Sequence, residues 1–220
     1  MMTRKSLRLG VIGCGPMGAA IGTRWAKAGH HVTWSYSRSP ARPSELARQA
    51  GHAAKGGSVR DAVESSDAIL IAIPWNRLED VVSQAPSLRG RVLLDCSLPM
   101  TESGSDLAVA WHTSGAEQLA RVTEGRVVKA FNTIPAEFIA AERRVQDSSV
   151  FIAGDDAAAK SIAAHLVTDA GFVPADAGPL RMARYMEPFA LLMGQMAYVQ
   201  GDSPQIGYRI VSAGESKLER

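Results

Sequence analysis

The sequence predicts an α/β protein: a doubly wound, mostly parallel sheet with a small C-terminal helical cap. Three observations predict it. Short apolar runs rich in Val, Ile and Leu recur along the chain, as strands buried on both faces do. Longer Ala-rich, charge-spotted segments lie between them, which gives the strand–helix alternation of an α/β fold. The first run ends in a glycine cluster that opens a helical segment.

The elements follow in order. The first strand is LRLGVI (7–12), and a helix is expected over 16–28. Pro16 suits an early helical position because no N–H is needed there, and Gly29 suits the exit. HVTWSY (31–36) is the second strand, followed by helical segments at 43–50 and 59–65. AILIAI (68–73) and RVLLDC (91–96) are the next two strands, with helices at 77–84 and 115–122 behind them. RVVKAF (126–131) precedes a helix over 134–144. SSVFIAG (148–154) precedes one over 156–169, for which Asp155 or Asp156 supplies the cap. GFVPAD (171–176) is a weaker last strand. After Asp176 the rhythm changes. AGPLRMARYMEPFALLMGQMAYVQ (177–200) reads as helix, apolar on more than one face, with Pro188 placed to kink or divide it. We therefore expect a sheet domain over 1–176 and a cap over 177–220. The Met-rich apolar cap needs cover, which predicts a homodimer.

The bulk numbers exclude several classes. The 220 residues carry a net charge of +2 and no long basic run, so nucleic acid is not an expected partner. Nothing approaches the roughly 20 apolar residues of a membrane span, and the N-terminus lacks a signal peptide's apolar region. The expected setting is cytoplasmic. Two cysteines, Cys14 and Cys96, give neither a disulfide framework nor zinc-like spacing. The five histidines include no H-E-x-x-H, and only His112 stands as a pocket candidate.

GVIGCGPMG places Gly13, Gly15 and Gly18 in G-x-G-x-x-G spacing, directly after a strand and opening a helix. That context predicts the pyrophosphate turn of a Rossmann domain. Gly13 permits the tight turn, Gly15 the approach of phosphate, and Gly18 close strand–helix packing. Cys14 and Met17 are neighbours of the ligand in this reading, not actors. At the end of the second strand, where NAD-binding chains tend to place an acid for the ribose 2′-hydroxyl, stands YSRSPAR. Ser37 offers a hydroxyl, Arg38 a charged fork matched to phosphate oxygens, and Arg42 a second charge. NADP(H) is the cofactor this predicts.

The later strand ends fall on the same carboxyl edge. Pro74 stiffens the turn in AIPW, and Trp75 either walls the ligand or covers the sheet edge. Asp95 and Cys96 read as structural, and Lys129, inside its strand, is not a catalytic candidate. In KAFNTIPAEF (129–138), Asn132 and Thr133 present short polar groups to the nicotinamide or its partner, with Ile134 and Pro135 as an apolar surface beside them. Asn132 holding its own turn is the alternative.

GVIGCGPMG, SRS, IPW, SGAEQLA, VVKAFNTIPAEF, VFIAGDD and DAGPLRMARYMEPFALL together resemble the coenzyme F420-dependent NADP oxidoreductases and their bacterial relatives. The resemblance spans nearly the whole chain, and its most specific pieces are NTIPAEF and the DAGPL segment. It implies reversible hydride exchange between NADPH and an 8-hydroxy-5-deazaflavin in the cleft of a dimer. By that likeness Gly13, Gly15, Pro16, Met17 and Gly18 match the pyrophosphate loop, and Ser37 and Arg38 the 2′-phosphate grip, with Arg42 a looser match. Ile73 and Pro74 match a loop beside the cofactor, and Ile134, Pro135 and Ala136 the floor of the deazaflavin site. Where deazaflavin-using members tend to carry His, this chain has Asn132. The KAFN form also resembles the NADPH-binding domain of membrane ferric reductases. Three other readings follow: an NADPH-dependent flavin or ferric reductase, a β-hydroxyacid-type dehydrogenase, and a non-catalytic NADP(H) sensor. The tail after Asp176 is short for the dehydrogenase's substrate domain.

Overall fold

The computed structural model describes residues 6–51, 54–141, 147–201 and 204–211. Eight strands form one sheet in the order β3-β2-β1-β4-β5-β6-β7-β8. They are β1 (Arg8–Ile12), β2 (His31–Ser35), β3 (Ala54–Gly56), β4 (Ala68–Ile71), β5 (Val92–Asp95), β6 (Arg126–Ala130), β7 (Ser149–Gly154) and β8 (Val173–Gly178). All neighbours pair in parallel except β6 and β7. The chain leaves β1 toward β2 and returns to β4 on its other side, so the strand order reverses at β1. Ligands of such sheets sit outside the carboxyl ends of the strands at that reversal.

The helices are α1 (Pro16–Lys27), α2 (Arg42–Ala50), α3 (Val59–Glu64), α4 (Leu78–Gln84), α5 (Gly115–Thr123), α6 (Ala136–Ala140), α7 (Ala157–Asp169) and α8 (Ala183–Gly194). On one face α1, α2, α6 and α7 cover Leu9, Val11, Trp34, Leu94 and Val128. On the other, α3, α4 and α5 cover Ile12, Ile69, Ile71 and Leu93. β1, β4 and β5 are buried from both sides, which is why they read as unbroken apolar runs.

Three departures from the sequence reading stand out. β3 was not expected: AKG carries no β-branched or aromatic residue, and the strand is held at the sheet edge by pairing with β2 and by packing against α2. The helix expected over 134–144 is the single turn and a half of α6, because Pro135 begins it with no N–H to give and Ala141 is extended; residues 142–146 lie outside the described ones. Pro188 does not divide α8, which runs through it and ends in a π-helical turn at Gln195–Val199. A proline at this position forgoes only the bond to the Arg184 carbonyl. The cap of the helix after AGDD is Asp156, which accepts from Ala159 N–H at 2.7 Å, whereas Asp155 accepts from Leu180 N–H at 2.9 Å.

Candidate functional site

The glycine turn is built by contacts that exclude a side chain. Gly13 has φ +117, and its N–H donates to the Ser35 carbonyl at 2.9 Å. A Cβ on Gly13 would lie 2.1 Å from the Ala72 carbonyl oxygen, and one on Gly18 would lie 1.9 Å from the Gly13 oxygen. Neither contact is tolerable. Gly15 differs: a Cβ there meets nothing within 4 Å, so its surroundings are open. Pro16 is the first helical residue of α1, and no side chain caps that helix. By contrast Ser58, Ser114 and Asp156 cap α3, α5 and α7. The first turn of α1 thus leaves its backbone N–H groups without a side-chain cap, beside the open surroundings of Gly15 and with no acid in the turn itself, a fit for a phosphate. Met17 is half-buried against the core. Burial pushes the Cys14 thiol up to about 11, and it donates to the Ser35 carbonyl at 3.4 Å. A thiol held protonated is not a nucleophile.

Tyr36 directly follows β2, and its φ of +60 is the left-handed region. Burial, and then a hydrogen bond to Asp80, push its hydroxyl up to about 12. Left-handed backbone at a bulky residue is strain of the kind that collects at binding edges. Ser37 follows, its Oγ accepting from Ser39 N–H at 3.2 Å. Arg38 is exposed and, among the described residues, has no ion pair. Arg42 opens α2, 3.6 Å from Glu45. Across the crevice Ile73 is buried against the glycine turn, 3.2 Å from a Cβ built on Gly13. Pro74 is exposed, and Trp75 packs half-buried on the α3–α4 face.

The β6 end carries a second strained residue, Phe131 at φ +64. Asn132 follows and donates through Nδ2 to the Met186 carbonyl at 3.2 Å, while its buried Oδ1 has no partner among the described residues. The amide is therefore pinned by α8 rather than by its own turn. Thr133 is buried, its hydroxyl 2.5 Å from that of Tyr208. Ile134, Pro135 and Ala136 are also buried, with Ile134 in the α1-side core. His112 is exposed on the long connection between β5 and α5.

Sequence reading missed the polar cluster that joins these parts. Lys129 is fully buried, with Nζ 2.9 Å from Asp95, 2.8 Å from Glu187 and 2.7 Å from the Ser97 carbonyl. Glu187 in turn accepts from the N–H groups of Gly115 and Ala116 at 2.9 and 3.2 Å. Burial works against the Lys129 charge, but the two carboxylates outweigh it and hold the ammonium above its ordinary value. Every donor of that ammonium is satisfied. The cluster ties α8 to the ends of β5 and β6 and to the start of α5. A second pair, Arg184 with Glu117 at 2.7 Å, repeats the α8–α5 link. A signal existed in the sequence: Lys129 follows two valines inside a strand, and Glu187 is the one acid in the apolar stretch of α8. A separate cavity lined by Arg8, His31, Thr33 and Lys55 lies at the amino ends of β1 to β3, away from these groups.

An open, mostly parallel sheet with a glycine turn feeding an uncapped helix at its reversal point defines a Rossmann dinucleotide-binding protein. Residues 8–99, from β1 past the end of β5, match the model of the family described as NADP oxidoreductase, coenzyme F420-dependent. The crystal structure of a proposed F420-dependent NADP reductase from Arthrobacter sp. FB24 superposes with a TM-score of 0.82 at 24% identity, covering 94% of this chain and 100% of that one. That likeness is one of fold. A hypothetical protein from Sinorhizobium meliloti superposes at 0.72 with 26% identity, over 81% of this chain and 88% of its own. Metalloreductase STEAP3 of Rattus norvegicus is 30% identical over 86% of this chain and 37% of its own length. The chain thus spans little more than a third of that relative. Among the described residues no helix is long and apolar enough to cross a membrane.

Proposed function

We propose that this chain binds NADPH across the β1–β4 crevice and passes hydride to a planar deazaflavin of the coenzyme F420 type. The observation that carries the reading is Arg38: an exposed guanidinium without a carboxylate partner among the described residues, beside Ser37, where an acid would mark NAD. Gly13, Gly15, Pro16, Met17 and Gly18 form the pyrophosphate turn, with Ser37, Arg38 and Arg42 gripping the 2′-phosphate. Ile73 and Pro74 flank the cofactor. Trp75, Asn132, Thr133, Ile134, Pro135 and Ala136 shape the acceptor end. Bound NADPH supplies the hydride at its nicotinamide ring. The protein's share is alignment and exclusion of water, so no acid or base is required of it.

The exposed stripe Tyr185, Leu192, Met196 and Val199 on α8 and its π-turn has near-heptad spacing and needs a partner; a second copy of the chain is the occupant we infer. A cytoplasmic setting suits its two unpaired thiols.

A second reading has its own support. The metalloreductase relative covers most of this chain, which favours electron delivery to a flavin or a ferric complex. Anaerobic turnover with NADPH against oxidised F420, FMN and a ferric chelate separates the two. Fast loss of deazaflavin absorbance supports the first reading, and turnover confined to flavin or iron replaces it with the second. NADPH binding without consumption by any acceptor defeats both.

A further inference from the structure

Trp111 is costly to the fold. Its side chain is 73% exposed and its φ is +66, so a large apolar ring stands in water on backbone that bulky residues avoid. The connection that carries it, from Cys96 to Ser114, is longer than most structureless loops, and such loops are usually functional. It is also built rather than loose. Met100 bridges to Leu107, Thr101 N–H donates to the Asp106 carbonyl at 2.9 Å, and Ala108 N–H donates to the Pro99 carbonyl at 2.7 Å. The hydroxyls of Thr101, Ser103 and Ser105 run in a chain across its tip.

Both ends of this connection stand at the carboxyl edge. It leaves from β5, and it returns at Ser114, the cap of α5. Gly115 and Ala116 then hold Glu187, and the adjacent Met186 carbonyl holds Asn132. Two residues separate Trp111 from Ser114, three chain steps with a reach of at most about 11 Å. The connection that carries Trp111 thus belongs to the β5–β6 side of the edge, and β1 with its glycine turn lies two strands from β5 in the sheet order.

We infer that Trp111 is a stacking residue for the flat fused ring of the electron acceptor, and that its face contributes to the choice of a planar acceptor over a compact one. A strained, exposed residue that lowers stability is accounted for by a ligand that covers it. The inference rests on the function proposed above, and it assigns Trp111 to the acceptor and not to NADPH.

Two variants test it. Trp111→Gly removes the ring and relieves the left-handed backbone, whereas Trp111→Phe keeps an aromatic face. Calorimetry would measure binding of F420, FMN and NADPH to each, alongside melting temperature and molecular mass. The expected result is about tenfold weaker binding of both flat rings to Trp111→Gly, the value of one stacked face. NADPH affinity should be unchanged and melting temperature equal or higher. Trp111→Phe should recover most of the loss. In turnover the loss should fall on the KM for the flat acceptor, while a ferric chelate is indifferent. Unchanged ring binding overturns the inference, as does an equal loss for NADPH. A fall in melting temperature with no ring-specific loss makes Trp111 a structural residue, and a change in mass makes it an interface residue; either result also overturns it. Failure of the wild type to bind either ring overturns it too, and leaves the nucleotide site standing if NADPH still binds.

Discussion

Replacing Arg38 with alanine removes a charge that contacts no other described charged group, so its effect should fall on the ligand alone. A hydrogen bond to a charged partner contributes roughly 1.5–3 kcal/mol. Arg38 is exposed, and solvent screening places it in the lower part of that range. At 1.4 kcal/mol per factor of ten, NADPH should bind about 10- to 30-fold more weakly. NADH lacks the 2′-phosphate and should change less than about twofold, and an exposed substitution should leave stability within about 0.5 kcal/mol. Calorimetric titration of both nucleotides reads this directly. Raising the salt concentration should weaken NADPH in the wild type and much less in the variant, because the lost term is Coulombic. Equal losses for NADPH and NADH would refute the reasoning, since Arg38 would then act on the shape of the turn rather than on the phosphate.

Gly15→Val should weaken both nucleotides strongly while leaving the melting temperature near that of the wild type, because a side chain there enters open space; a large loss of stability with normal binding would contradict the turn assignment. Lys129→Met leaves Asp95 and Glu187 facing each other in the interior and should cost about 3–5 kcal/mol, a fall of roughly 6–20 °C for a chain this size, read by thermal melting. Glu117 is held below its ordinary range first by its hydrogen bonds to the Arg184 guanidinium. Its stabilisation is complete above about pH 4.3 and is lost as pH falls through the depressed value. Arg184→Met should therefore flatten that part of the acid limb in urea unfolding followed against pH, and an identical limb in both proteins would contradict it.

The parts of this molecule that were legible in its sequence are those governed by local rules. β1 with its glycines, the buried runs of β4 and β5, and a cap at Asp155 or Asp156 each follow from a few adjacent residues; which of the two aspartates caps α7 is decided by the distant Leu180 N–H that takes Asp155. β3 was not legible because three residues without branched side chains carry no strand signal. α6 fell short of its expected span because Pro135 opens it late and extended backbone at Ala141 closes it early. Continuity of α8 through Pro188 depends on tertiary anchoring: Glu187 is fastened to Lys129 and to α5, and no local pattern announces that partner. The candidate site divides the same way. The phosphate turn lies in one stretch, and YSRSP stands at the one position where a missing acid has meaning. The proposed acceptor end is assembled from β5, β6, α5 and α8, so its hydrogen bonds span 32 residues of sequence between Ser97 and Lys129 and 72 between Gly115 and Glu187. Trp111 was overlooked because exposure and backbone sign are properties of the folded chain.

Direct transfer between two rings is the central claim, and isotopic labelling tests it most simply. NADPH deuterated at the transferring position of its nicotinamide would be incubated with the protein and oxidised F420 in ordinary water, and the reduced deazaflavin analysed by mass spectrometry. The account predicts one deuterium in the product, with NADH giving little product at all. Reduced deazaflavin that carries only solvent hydrogen, or no reduction despite tight NADPH binding, would contradict it.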